Sequence, residues 1–347
     1  MGNHAKIPVT VLTGFLGSGK TTLVNRILTA DHRHRIAVIE NEFGDIPIDN
    51  ALVLSGDEEI IEMSNGCCLC CTARTDLIDI LRRLLERQDR FDRVLIETSG
   101  MADPNPVAQT FFVDEEVAAN FELDGIVTMV DALHVDAHID EVADNGVGAH
   151  VTDQIAFADR VILNKTDLVS PSKADSVAER IRRVNSTADI IRSSYADVDV
   201  ADVLGIGAFT GAGRNAEDPD RMDGGTHLHD PTLVSVELEI EDDVDLAAVE
   251  SWVAGLLRDR DEDVYRIKGL LSLVGDPRRF VLQGIHSMFE ITPGTPWGGD
   301  RRSTRVVLIG RNLDREELSR DLRSCAAGVA AFGDPASCGA PSATGTL

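Results

Sequence analysis

Val9-Thr10-Val11-Leu12-Thr13-Gly14-Phe15-Leu16-Gly17-Ser18-Gly19-Lys20-Thr21-Thr22 runs from a β-branched stretch into a glycine-rich turn, then into a helical period carried by Leu23, Ile27 and Leu28. It satisfies GxxxxGK[ST] in the strand–turn–helix setting that the motif requires. Gly14 closes the strand, and Gly17 and Gly19 let the backbone around Ser18 curl so that successive N–H groups face a phosphate. The helix start adds its positive dipole end. Lys20 would reach the β- and γ-phosphates of a nucleotide, and the Thr21 hydroxyl, followed by Thr22, would ligate Mg²⁺.

The same alternation extends outward. Val9–Thr13, Ile36–Ile39, Val94–Ile96, Ile126–Val130 and Val161–Leu163 are continuous runs of strand length, the pattern of strands buried on both faces. Helical periods lie between them, the clearest placing Leu77, Ile80, Leu81, Leu84 and Leu85 on one face. Alternating strands and helices predict an α/β domain, a mostly parallel sheet with helices on both faces, over residues 1–204. Ligands of such sheets bind at the carboxyl ends of the strands, where each motif below falls.

Composition changes at Gly205. Residues 205–231 are rich in Gly, Asp and Pro and read as a flexible linker. From Thr232 the pattern resumes with alternation over Leu233–Ile240, a helical period over Leu246–Leu257, and short strands at Leu270–Val274, Phe280–Ile285 and Val306–Ile309. This predicts a smaller α+β domain with an antiparallel sheet over 232–325, whose open face needs something to dock against. Residues 326–347 are of low complexity and are expected to form a disordered tail.

The 347 residues are 43% hydrophobic, enough for two cored domains. Net charge is 33 − 59 = −26, which repels phosphate backbones and anionic lipid and argues against nucleic acid or a membrane as partner, while suiting cations. No apolar run reaches membrane-span length. The first residues lack the layout of a secretory signal, and Lys6 breaks the myristoylation pattern begun by Gly2, so a cytoplasmic location is expected.

Asn164-Lys165-Thr166-Asp167 follows a later strand of the same sheet. The Asp167 carboxylate can accept hydrogen bonds from N1–H and the exocyclic amine of guanine, a donor pair that adenine lacks, so GTP is the expected nucleotide. Val94-Leu95-Ile96-Glu97-Thr98-Ser99-Gly100 is a strand ending in an acid. Glu97 is placed to hold Mg²⁺ through its water shell, and the Gly100 amide to sense the γ-phosphate.

Four of six cysteines crowd into Cys67, Cys68, Cys70 and Cys71, just before a helix. Thiolates so close on a turn can converge on one ion, for which Zn²⁺ fits best and Co²⁺ or Cu(I) are conceivable. A redox-active pair and inert buried thiols are the other readings. The acids of Glu40-Asn41-Glu42-Phe43-Gly44-Asp45 can complete the coordination, Glu40 foremost, or orient the attacking water, the role assigned to Glu42. His227-Leu228-His229 in the linker is a second candidate metal pair. Catalytic candidates are thus Lys20, Glu42 and Glu97. Cys325 and Cys338 receive no role.

Together these segments resemble the CobW-type P-loop GTPases, a metallochaperone family. The likeness rests on GFLGSGKTT, ENEFGDIPID, NGCCLCCTARTDL, VLIETSGMADP and NKTD in that order, and continues through YRIKGLL, VLQGIH, Trp297 and VVLIG in the second domain. The resemblance implies a doubly wound GTPase domain, GTP hydrolysis that is slow alone, a metal-dependent client protein, and metal held by a CxCC motif falling on Cys68, Cys70 and Cys71. Relatives usually carry Asn-Gly directly before the first ligating cysteine; here Cys67 intervenes after Gly66, which makes Cys67 a candidate ligand in its own right. The expected function is a GTPase whose nucleotide state sets its affinity for a transition metal, with zinc ahead of cobalt as cargo. The rivals are cobalt delivery to cobalamin synthesis or nitrile hydratase, a metal buffer or thiol redox protein with a vestigial nucleotide site, and a regulatory switch without cargo.

Overall fold

The structure is a computed structural model and describes residues 5–31, 33–40, 59–62, 72–87, 90–140, 147–209, 233–260 and 263–326. Its first sheet is made of β1 (Ile7–Gly14), β2 (Ile36–Glu40), β3 (Glu59–Glu62), β4 (Arg93–Glu97), β5 (Phe121–Asp131), β6 (Arg160–Asn164) and β7 (Asp189–Arg192). The order is β3-β2-β4-β1-β5-β6-β7, and every pairing is parallel.

The period-2 geometry of a strand sorts its residues between the two faces. Val9 and Val11 of β1, Ala37 and Ile39 of β2, and Val94 and Ile96 of β4 enter one core with Leu77, Leu81 and Leu84 of α2 (Thr72–Leu85) and Phe111 of α3 (Asn105–Val113). Leu12, Ile36, Val38 and Leu95 face the other way, onto Leu23, Val24 and Ile27 of α1 (Lys20–Thr29). Beyond α3 follow α4 (Glu115–Asn120), α5 (Val135–Asp140), α6 (Val147–Phe157) and α7 (Pro171–Val184). Helices on both faces explain why the strands read as unbroken apolar runs. The chain from Gly205 to Gly207 is tied to β5, because Asp124 accepts the N–H groups of Gly205, Ile206 and Gly207 at 2.8–3.1 Å.

The second sheet has β8 (Leu233–Ile240), β9 (Val264–Ser272), β10 (Arg278–Ile285), β11 (Met288–Pro296) and β12 (Thr304–Arg311), antiparallel in the order β11-β10-β9-β12-β8. One face carries α8 (Leu246–Asp259) and α9 (Arg315–Ser324), packed through Val249, Val253, Leu257, Leu318 and Leu322. The other face lies on the first domain, where Leu233, Tyr265, Ile285, Val307 and Ile309 join the core built around Val9, Phe121 and Phe157. The docking surface expected for this sheet is therefore supplied by its own chain.

An ion cluster sits inside that apolar seam. Asp159, just before β6, accepts the Ile126 N–H at 2.9 Å, pairs with Arg266, and meets Lys268 Nζ at 2.9 Å. Burial works to raise the Asp159 carboxyl, and the Arg266 and Lys268 charges hold it below its usual range. With two cations sharing one carboxylate, burial pushes Lys268 down to about 8 against the pull of Asp159. Phe157 stacks on Tyr265 with ring centroids 5.5 Å apart. No described helix is long and apolar enough to cross a membrane.

Candidate nucleotide and metal site

β1 is central in the first sheet, between β4 and β5, and the loops after these strands meet at one edge. Gly14, Gly17 and Gly19 have φ of 136°, 75° and 111°, in the left-handed region that favours glycine. At Gly19 a side chain is also excluded by space, since a Cβ there would stand 2.5 Å from Asn164 Nδ2. Ser18 N–H donates to Phe15 O at 3.2 Å, which curls the turn. Helix α1 starts at Lys20 with no side-chain cap, the kind of helix N-terminus at which anions bind. The Lys20 ammonium lies back over the loop and donates to Gly14 O at 2.8 Å. The Ser18 hydroxyl is buried without a hydrogen-bond partner among the described residues. A glycine-rich turn at a helix N-terminus, with an unpartnered buried hydroxyl and a buried ammonium, fits a polyphosphate.

Thr21 Oγ1 donates to Glu97 Oε1 at 3.4 Å, bringing the end of β4 to the first turn of α1. Hydroxyl and carboxylate form the hard oxygen set that Mg²⁺ prefers. Glu97 is 7% exposed. The loop beyond it is fixed by Thr98 N–H donating to Leu12 O at 2.9 Å, and by Gly100, where a Cβ would stand 2.8 Å from Leu16 N.

The Asn164 side chain joins two loops. Its Nδ2 donates to Ser18 O at 2.9 Å, and its Oδ1 accepts the Ala196 N–H at 2.9 Å. Lys165 adopts a left-handed backbone (φ 61°), and its ammonium meets Asp131 Oδ2 at 2.7 Å. Burial works to raise the Asp131 carboxyl, but hydrogen bonds from His134, Lys165 and the Leu133 amide hold it below its usual range. Thr166 donates through N–H and Oγ1 to Ser193 O at 3.0 and 2.8 Å. Asp167 is exposed at the mouth of this wall, able to accept from a base.

Three contributors escaped sequence reasoning. Asp131 ends β5 without a motif around it. The Ser193–Ala196 loop, with Tyr195 and Ala196 both at φ 56°, follows the four-residue β7, and recognising that strand would have pointed to it. Gln154 on α6 donates to Gly100 O at 3.3 Å and Ala102 O at 3.1 Å, and no local pattern announces it.

The thiols Cys67, Cys68, Cys70 and Cys71, together with Glu42, His227 and His229, lie outside the described residues. What is described is their frame. Glu40 ends β2 in register with Glu97 on one side and with Glu62, the last residue of β3, on the other. α2 begins at Thr72, one residue past Cys71. The run 63–71 is thus bracketed by a strand end at the edge shared with Glu97 and by a helix N-terminus, the kind of place that favours thiolates. Among the described residues no group of three His, Cys, Asp or Glu side chains could hold a metal ion. Cys325 is buried, and burial pushes its thiol up, consistent with a packing role.

Residues 8–192 match the family model described as CobW/HypB/UreG, nucleotide-binding domain, and residues 233–326 match the cobalamin synthesis protein cobW C-terminal domain. The chain is 34% identical over 319 residues to the zinc chaperone YjiA of Escherichia coli, spanning 90% of this chain and 96% of that one. It is 31% identical over 359 residues to the zinc-regulated GTPase metalloprotein activator 1 of Saccharomyces cerevisiae, spanning 92% and 83%. Among solved structures, Zn(II)-bound YjiA GTPase from Escherichia coli superposes with a TM-score of 0.74 at 30% identity, over 93% of this chain and 99% of that one.

Proposed function

The chain belongs to the CobW/HypB/UreG nucleotide-binding family and carries the CobW C-terminal domain, and from that premise we propose that it is a cytoplasmic GTP-hydrolysing metallochaperone that takes up zinc and passes it to a client protein. In this reading residues 1–204 form the nucleotide domain, 205–231 a linker and 232–325 the second domain. Lys20, Gly14, Gly17, Ser18, Gly19 and Thr22 cradle the phosphates, with Thr21 and Glu97 holding Mg²⁺ and the Gly100 amide facing the γ-phosphate. Asn164, Lys165 and Asp167 form the guanine wall. Mg²⁺, when bound, neutralises charge on the β- and γ-phosphates, and Glu42 orients the attacking water. Zinc is cargo, held by Cys68, Cys70 and Cys71, with Cys67, Glu40, His227 and His229 as further candidate ligands.

The register Glu62–Glu40–Glu97 carries the reading. It puts the strand end that leads into the cysteine run two strands from the acid proposed for Mg²⁺. Segments that order around Mg²⁺ and a γ-phosphate can then alter the thiol geometry, and linkage requires that zinc alter GTP affinity by the same factor. Competition against a chromophoric zinc chelator tests the ligand set. Cys70→Ser should weaken zinc by at least about tenfold while leaving GDP affinity unchanged, since loss of even an outer-shell partner of a metal ligand costs about 10–100-fold. Equal zinc affinity in wild type and Cys70→Ser contradicts the assignment.

A further inference from the structure

The amide of Gln154 is 1% exposed and lies where α6 passes beneath the loop that follows Glu97. Both of its donors are used on that loop, one on Gly100 O at 3.3 Å and one on Ala102 O at 3.1 Å. A peptide unit is planar and trans, so a carbonyl drawn toward Gln154 turns the N–H of the next residue the opposite way. Gln154 therefore sets the orientation of the Gly100–Met101 and Ala102–Asp103 peptides. On its far side this loop presses on the phosphate loop, with Gly100 against Leu16.

The helix that carries Gln154 is itself held from two directions. Thr128 Oγ1 donates to Gln154 O at 2.8 Å, which fixes the helix to β5. The neighbouring Asp153 pairs with Arg311 of β12 at 3.4 Å, and Arg311 lies 5.8 Å from the Tyr265 ring centroid. At the end of the helix, Arg266 of β9 donates to Phe157 O, and Tyr265 stacks on the Phe157 ring. The second domain thus grips α6 at Asp153 and Phe157, on either side of Gln154 in sequence.

We propose that Gln154 is a positioning residue for GTP hydrolysis, holding the Gly100–Ala102 loop in its phosphate-facing form, and that the second domain controls its placement through the Asp153–Arg311 pair. This rests on the GTPase reading above. It gives the second domain a part in the chemistry of the first, without a residue of its own at the phosphates. It also gives a client that engages the second domain a physical route to the rate of hydrolysis, by loosening or tightening the grip on α6.

The test uses the full chain and two variants. Gln154→Met keeps the side-chain volume and removes both donors, and Arg311→Leu cuts the link to Asp153 while leaving Gln154 in place. Single-turnover GTP hydrolysis and equilibrium binding of a fluorescent GDP are measured on each. Hydrolysis by the wild-type protein in the same assay establishes the underlying reading separately. For Gln154→Met we expect a rate lowered by about tenfold, and for Arg311→Leu by about threefold, with GDP affinity within about twofold of wild type in both. The GDP measurement also shows that each variant is folded. A wild-type rate in either variant overturns the proposal, as does a parallel loss of GDP affinity, which marks a general structural role. Should Gln154→Met fail to fold, the Arg311→Leu rate alone decides.

Discussion

Asn164 and Gln154 are both buried primary amides that hold a loop of the proposed nucleotide site, and they differ in where they stand. Asn164 ends β6, paired on both sides within the sheet, and its partners Ser18 and Ala196 belong to the same domain. Gln154 rides on a helix buried between the first sheet and the second domain, which grips it. The wall proposed for the base is thus built into the sheet and is fixed whatever the second domain does. The loop proposed for the γ-phosphate depends on side-chain contacts that cross a domain boundary. A switch needs this division, because nucleotide must stay bound while the phosphate-facing loop changes partners.

Damage to the domain interface should have the most severe effect. Asp159→Asn leaves Arg266 and Lys268 facing a neutral amide, and removing one partner of such a buried cluster costs about 3–5 kcal/mol. We expect the urea midpoint to fall by that equivalent and GTP hydrolysis to slow, with GDP affinity kept in the folded fraction. If GDP binding fails first, the base wall also depends on the second domain and the contrast is lost. Asn164→Ala attacks the other side. It strands Ser18 O and the Ala196 N–H, at about 1–3 kcal/mol for each unpaired group. GTP and GDP affinities should fall together, by about tenfold or more, as titration calorimetry would record; a loss confined to GTP would contradict the assignment.

The smallest effect sharpens the view of the seam. Lys268 in the fold titrates at about 8, below the 10.5 of an ordinary lysine. Between those values the unfolded chain binds the extra proton, so this group adds stability as pH rises from 8 toward 10.5. The urea midpoint of wild type, relative to Lys268→Met, should therefore climb over that range. A constant difference would show that the Lys268 ammonium is as well solvated as a surface lysine.

Much of this arrangement was legible in the sequence, and the failures share a cause. The strands of the nucleotide domain announced themselves because helices cover both faces, as Val9, Val11 and Leu12, all fully buried, illustrate. The short β3 and β7 offered too few residues for a pattern, and β11, an edge strand broken by Pro293 and Gly294, offered the wrong ones. The strand expected at Leu270–Val274 is Val264–Ser272. Its first half contains Arg266 and Lys268, which look solvent-bound in a sequence but meet Asp159 in the seam. The segments proposed for phosphate and base, Gly14 through Thr22 and Asn164 through Asp167, were readable because such recognition uses short contiguous motifs. Gln154 and Asp131 act through contacts distant in sequence, on two backbone carbonyls and a lysine, and such contacts leave no local trace.

In the proposed function, nucleotide and zinc report on one another through loops at a shared sheet edge. Its most direct test is zinc affinity by chelator competition, measured on the same protein saturated with Mg²⁺ and either GDP or a non-hydrolysable GTP analogue. The two constants should differ by roughly 5–150-fold, the range of a 1–3 kcal/mol coupling, and zinc should shift the ratio of GTP-analogue to GDP affinity by the same factor. Identical zinc constants in the two states would contradict it.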